Sequence, residues 1–185
     1  MYEEDPVTGL IKAVSRGDEE AFKQLYETTH KKVFQYLYRF TNGHNMAEDL
    51  VVDTYVEVWK SAKSFRNESK VLAWIIGISR NIAMNEIRKN KMKEYELNED
   101  IMSPPEQFHN CAGSEITRVL GDALNRLPDN HREILDLVFL QEMNYEDISR
   151  IIDIPVNTVK SRVFYAKEKM RDALKFMGVT KDDLV

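Results

Sequence analysis

Apolar residues recur along this chain at intervals of three and four, and the alternation that marks a half-buried strand is nearly absent. "GDEEAF" places Asp18 at a helix start, with Glu19 and Glu20 in the first turn, where the positive end of the helix dipole favours carboxylates. Phe22, Leu25, Tyr26, Val33, Leu37 and Phe40 then mark one apolar face, and "TNGHN" ends the segment. Asn45 followed by Glu48 has the spacing of a capping box and predicts a second helix running to about Ser61. "SFRNES" reads as a loop, after which one long amphipathic helix is expected from about Lys70 to Lys91.

The periodicity then stops. "KEYELNEDIMSPPEQFHNCAGSE" is polar and acidic and carries Pro104-Pro105; so long a stretch without helical pattern predicts a flexible linker between two domains. Helical spacing resumes near Ile116, gives a helix with Pro128 near its start, and ends in "NYEDISRIIDIPVNTVKSRVFYAKEKM", two helices about four residues apart. The expected fold class is all-α: two small helical domains, residues 1–93 and 116–178, joined by an acidic linker, 94–115, with a short tail, 179–185.

Composition refines this picture. The 185 residues are 43% hydrophobic, enough for two small cores, and no apolar run approaches the length of a membrane span. No signal-peptide pattern opens the chain, and one cysteine permits no internal disulfide, which together predict a cytoplasmic protein. "FHNC" offers two metal ligands at most, His109 and Cys111, so neither a metal site nor a cofactor is expected. No P-loop, nucleophile elbow or ligand cluster suggests an enzyme. The net charge of −5 conceals segregation. Residues 60–93 hold nine Lys and Arg against two acids, a local +7, and residues 156–175 hold six against two, a local +4. Residues 94–115 hold six acids and no Lys or Arg. Two basic segments on an acidic frame are either solvated helix faces or two contacts with one polyanion.

The last two helices have the layout of a helix-turn-helix, whose second helix enters the major groove. Val159, Val163, Ala166, Met170 and Leu174 form the expected buried stripe. At about 100° per residue, Ser161 and Tyr165 face away from it, with Thr158 close by and Arg162 and Phe164 flanking. Asp153 occupies the turn, where glycine is common. Earlier in the chain, Asp49, Asp53 and Glu57 are spaced by four along one helix edge beside Val52 and Val56. Like charges at that spacing destabilise an isolated helix, so the row is either a solvated face or a docking surface for a basic partner. On the long helix Trp74, Gly77, Asn81, Asn85 and Arg88 share a face. A tryptophan, two amides and a basic end suit unstacked bases and phosphates, though Trp74 alone is equally consistent with a core residue.

These segments together carry a family resemblance. "LPDNHREILDLVFLQEMNYEDISRIIDIPVNTVKSRVFYAKEKMRDAL" resembles region 4 of extracytoplasmic-function (ECF) sigma factors of the sigma-70 family, and "AEDLVVDTYVEVW" with "SFRNESKVLAWIIGISRNIAMNEIRK" resembles their region 2. The resemblance implies a promoter-specificity subunit that joins the RNA polymerase core, docking on the β′ clamp helices through Asp49, Val52, Asp53, Val56 and Glu57 and also meeting the β subunit. Val52 stands where the family usually has glutamine. It implies that Phe65, Trp74, Arg80, Asn81, Asn85, Arg88 and Lys89 melt and read the promoter −10 element, with a flipped-base pocket near Phe65 and Asn81. It further implies that Thr158, Lys160, Ser161, Arg162, Phe164, Tyr165 and Lys167 read the −35 duplex, and that an anti-sigma factor, often membrane-bound, sequesters the protein. Elements about 16 base pairs apart lie roughly 55 Å apart along duplex DNA, a span that some 22 linker residues, reaching at most about 73 Å, can cover. Two rival readings are a stand-alone helix-turn-helix regulator, which would bind DNA without polymerase, and a helical adaptor acting only through its acidic helix.

Overall fold

The computed structural model describes residues 7–41, 43–97 and 115–179, and divides into two compact helical units. In the first, α1 (Thr8–Val14), α2 (Glu19–Thr41), α3 (His44–Ser61) and α4 (Val71–Leu97) pack as a bundle, with a 3-10 turn at Ala62–Ser64 extending α3. Gly17, at φ +90°, makes the turn from α1 into α2, a conformation that costs an L side chain energy. Asp18 caps α2 as its position predicted: the Ala21 amide donates to Asp18 Oδ1 at 2.9 Å. Leu25, Val33, Tyr36 and Leu37 of α2 meet Leu50, Val51, Tyr55 and Val58 of α3, and Val71, Ile75, Ile76 and Ala83 of α4 complete the core. One polar link lies within it. Thr29 Oγ1 donates to the Leu25 carbonyl and lies 2.6 Å from the Tyr55 hydroxyl. Burial pushes the Tyr55 phenol far above the usual tyrosine range, so it stays protonated and available as a donor.

Two expectations need correction. The Asn45–Glu48 capping box does not form: the N-cap of α3 is Gly43, extended at φ −146° and ψ 130°, with no side-chain cap. The helix begins two residues earlier than that motif requires, which puts Asn45 inside the first turn, and Glu48 pairs instead with His44 at 3.3 Å. Tyr26, expected on the apolar face of α2, is 38% exposed and stacks on His30 with ring centroids 4.7 Å apart. The long fourth helix is continuous as expected, and longer.

The second unit contains α5 (Glu115–Asn125), α6 (Asp129–Leu135), α8 (Val156–Phe176) and α7 (Tyr145–Ile152) through Ser149. Pro128, without an amide hydrogen to lose, sits at the N-cap of α6. The end of α6 widens into a π turn over Asp136–Leu140, a feature that hydrophobic spacing did not announce. Asn144 caps α7, its Oδ1 accepting from the Asp147 amide at 2.7 Å. α8 packs against α5 and α6, burying Val159, Val163 and Ala166 as the stripe predicted, whereas Met170 and Leu174 are only half-buried. Of the predicted linker 94–115, residues 94–97 belong instead to α4 and Glu115 opens α5, while residues 98–114, His109 and Cys111 among them, lie outside the described residues.

Candidate functional surfaces

Three faces collect the residues singled out by the sequence. The first is the outer side of α3. Leu50, Val51, Thr54, Tyr55 and Val58 turn inward, which leaves Asp49, Val52, Asp53, Val56 and Glu57 together in solvent. Val52 is 63% exposed and Val56 46%. Among the described residues none of the three carboxylates has an ion-pair partner, so their mutual repulsion is uncompensated within the unit. Trp59, absent from the residues marked by the sequence, continues the aliphatic pair at i, i+4, i+7; it is 37% exposed and held edge-on by Phe22 at 5.1 Å. Its spacing alone could have identified it.

The second face combines the loop before α4 with the solvent side of that helix. Phe65 follows the 3-10 turn and meets the Trp74 ring edge-on at 5.4 Å, both half-buried. Trp74 is thus neither a sealed core residue nor a free platform. Asn67, at φ +57°, bends the loop between them. This is the loop read from "SFRNES"; the family resemblance also implies a short loop near Arg80–Asn81, and that loop is not found, since both residues lie in the unbroken helix α4. Asn81, Asn85 and Arg88 are exposed in a line from Trp74, while Ser79 and Ala83 face the core. Arg80 is half-buried, and Lys89 is exposed but paired with Glu86 at 3.3 Å.

The third face is the outside of α8, set by the turn that precedes it. Asp153 is left-handed at φ 53° and ψ 53°; the Ile154 amide donates to the Ser149 carbonyl at 3.1 Å, and Ser149 Oγ returns a hydrogen bond to the Ile154 carbonyl. Pro155 then opens α8, its carbonyl accepting from the Thr158 amide at 2.8 Å. Thr158, Lys160, Ser161, Phe164 and Tyr165 are exposed, the two aromatic rings meeting edge-on at 5.5 Å and each 60% accessible. Ser161 Oγ bends back to the Asn157 carbonyl at 3.1 Å. Two members stand on its flanks, Arg162 as the helical spacing predicted. Arg162 is half-buried on the flank next to α6, where its charge acts on His131; burial first, then Arg162 and Lys169, holds that imidazole below the usual histidine range. Lys167 lies on the other flank, its ammonium 5.0 Å from the Phe139 ring centre.

A compact helical bundle with an acid-and-aliphatic outer helix, followed by a helix-turn-helix with a polar and aromatic outer face, is the arrangement of a transcription initiation factor. Residues 25–92 match the family Sigma-70 region 2, and residues 117–170 match Sigma-70, region 4. The chain belongs to the sigma-70 family. Among similar proteins are the ECF RNA polymerase sigma factor SigM of Bacillus subtilis, 32% identical with 86% of this chain and 98% of that protein covered, and the ECF RNA polymerase sigma-E factor of Haemophilus influenzae, 28% identical over 94% and 98%. The fold also resembles the sigma factor RpoE from Bartonella quintana, solved in complex with the anti-sigma factor NepR: TM-score 0.73, 28% identity, 83% of this chain and 96% of that one. Within the family this chain is an ECF-type factor, and its function is to direct the initiation of transcription by RNA polymerase.

Proposed function

We propose that the three faces divide the work of initiation. Asp49, Asp53 and Glu57, with Val52 and Val56 between them, dock on a basic and apolar surface of the polymerase core, the β′ clamp helices. Phe65, Trp74, Asn81 and Asn85 hold bases of the opened −10 strand, with Arg80, Arg88 and Lys89 on its phosphates. Thr158, Lys160, Ser161, Arg162, Phe164, Tyr165 and Lys167 engage the −35 duplex. Arg162 and Lys167, on the two flanks of α8, suit phosphates on either side of the groove better than base edges in its centre. The two domains, expected over 1–93 and 116–178 with a linker at 94–115, extend to the end of α4 at Leu97 and back to the start of α5 at Glu115, which leaves residues 98–114 to join them. The protein catalyses nothing itself; bond formation belongs to the polymerase.

The observation that carries this reading is the joint exposure on α3 of two aliphatic side chains and three unpaired carboxylates, which an isolated bundle has no reason to display. Among the described residues no helix is long and apolar enough to cross a membrane, which suits a cytoplasmic protein held by an anti-sigma factor, as the Bartonella relative is by NepR. Permanganate reactivity of −10 thymines tests the pocket. Within the polymerase complex, Asn81→Ala and Phe65→Ala reduce that reactivity while protection of the −35 duplex persists. Reactivity equal to wild type in both variants removes the pocket.

A further inference from the structure

The edge of α8 that meets α6 collects positive charge with nothing to balance it. Ile134 and Leu135 are the buried side chains of α6, and His131 stands one turn before them on the same side. On α8, Val159, Val163 and Ala166 pack inward. Arg162 and Lys169 share the edge beside them, two turns or about 10 Å apart. After burial, the charges of Arg162 and then Lys169 are what hold the His131 imidazole below the usual histidine range, so the three groups share one space across the α6–α8 contact.

Among the described residues neither Arg162 nor Lys169 has an ion-pair or hydrogen-bond partner, although Arg162 is half-buried. Two acids that could serve are engaged instead: Asp129 pairs with Arg132 at 2.5 Å and Glu168 with Arg171 at 2.9 Å. A partly desolvated guanidinium is costly to leave unpaired, and a second cation on the same edge adds to that cost. The His131 ring supplies a third group. Its Nδ1 is buried without a hydrogen-bond partner, a place for a lone pair rather than an N–H. The neutral ring therefore carries its proton on Nε2, which is left as its donor.

We infer that His131, Arg162 and Lys169 form a seat for one backbone phosphate of the −35 duplex. The inference rests on α8 being the −35 reader, and it adds His131 and Lys169, two residues outside the set given to that duplex above. A phosphate in the seat accepts from His131 Nε2 and from the Arg162 guanidinium, and its charge offsets both cations. Duplex DNA presents such groups at fixed spacing along the rim of the groove that α8 enters, so reading and seating occur together.

The test uses the full chain bound to core polymerase, with promoter fragments in which one −35 phosphate at a time is replaced by an uncharged methylphosphonate. At one position the replacement weakens wild-type binding about tenfold, the loss of one bond to a charged group. In His131→Phe/Lys169→Met, folded by thermal melt, the same replacement costs less than about twofold, because the seat is already lost. Lys169→Met alone, at an exposed position safe for the fold, lowers the salt dependence of −35 binding by about one counterion. An unchanged tenfold penalty in the double variant, or no penalised phosphate at all, overturns the seat; if Lys160→Ala still weakens −35 protection, α8 remains the reader. An unprotected −35 duplex in wild type overturns both. Weaker capture of core polymerase by the double variant without promoter also overturns the seat, because the cluster then holds an acid of that partner.

Discussion

The docking face of α3 yields a magnitude that can be worked from exposure. Fully burying a valine side chain is worth about 1.5 kcal/mol at the low end of the usual range. Val52 is 63% and Val56 46% exposed in the free protein, so covering both on polymerase gains about 1.6 kcal/mol before any charge contributes. Val52→Ser/Val56→Ser should therefore weaken binding to core polymerase about 15-fold. The fold should be untouched, since both side chains already stand in water. Val51→Ser, one residue away but 6% exposed, should do the opposite, lowering the melting temperature with little direct effect on the contact. Asp53→Lys adds an electrostatic loss that shrinks as salt is raised. The assay is fluorescence titration of labelled protein with core polymerase at two ionic strengths, alongside thermal melts of each variant. Affinity within twofold of wild type for the double serine variant, with an unchanged melt, would refute the reasoning.

Three further outcomes follow from the second unit. Asp153 is held left-handed, so Asp153→Gly should raise its stability by up to about 1 kcal/mol and Asp153→Val should lower it by about 1–2 kcal/mol, read by urea denaturation; a valine variant as stable as wild type contradicts the turn. Burial and the charges of Arg162 and Lys169 disfavour protonated His131 in the fold, so the unfolded chain binds the extra proton. Stability should be complete well above pH 6.5 and decline as pH falls through that value, and His131→Asn should flatten the decline; identical pH profiles would show that His131 is not linked to folding. Lys160→Ala/Arg162→Ala should weaken −35 binding to a similar extent across promoter sequences and reduce its salt dependence, with folding preserved, measured by footprinting in the polymerase complex at two ionic strengths, and an unaltered footprint would mean that α8 is not the reader.

Much of this architecture was legible because local rules and tertiary packing agree. Asp18, followed by two glutamates and an apolar stripe, fixes the start of α2, and the Val159–Val163–Ala166 spacing fixes the packed side of α8. Where a local motif competes with chain geometry the reading failed. Asn45 and Glu48 have capping-box spacing, but extended Gly43 starts the helix earlier and leaves the motif inside it. The π turn at Asp136–Leu140 and the left-handed Glu142 have no simple residue signature, because wider winding is imposed by how α6 ends. The acidic row on α3 and the flanking place of Arg162 were legible from periodicity, whereas the neighbours that Arg162 and Lys167 meet, His131 and Phe139, come from the α6 region and were not. Met170 and Leu174, which looked like core by spacing, are only half-buried.

Promoter-directed initiation itself is tested most directly by transcription with purified bacterial core polymerase on genomic DNA fragments, with and without this protein, followed by mapping of RNA 5′ ends. The account predicts new start sites only when the protein is present, each preceded by two shared sequence blocks separated by a near-constant spacer, and little duplex binding by the protein alone. Unchanged start sites, or tight sequence-specific binding by the free protein without new transcripts, would contradict it.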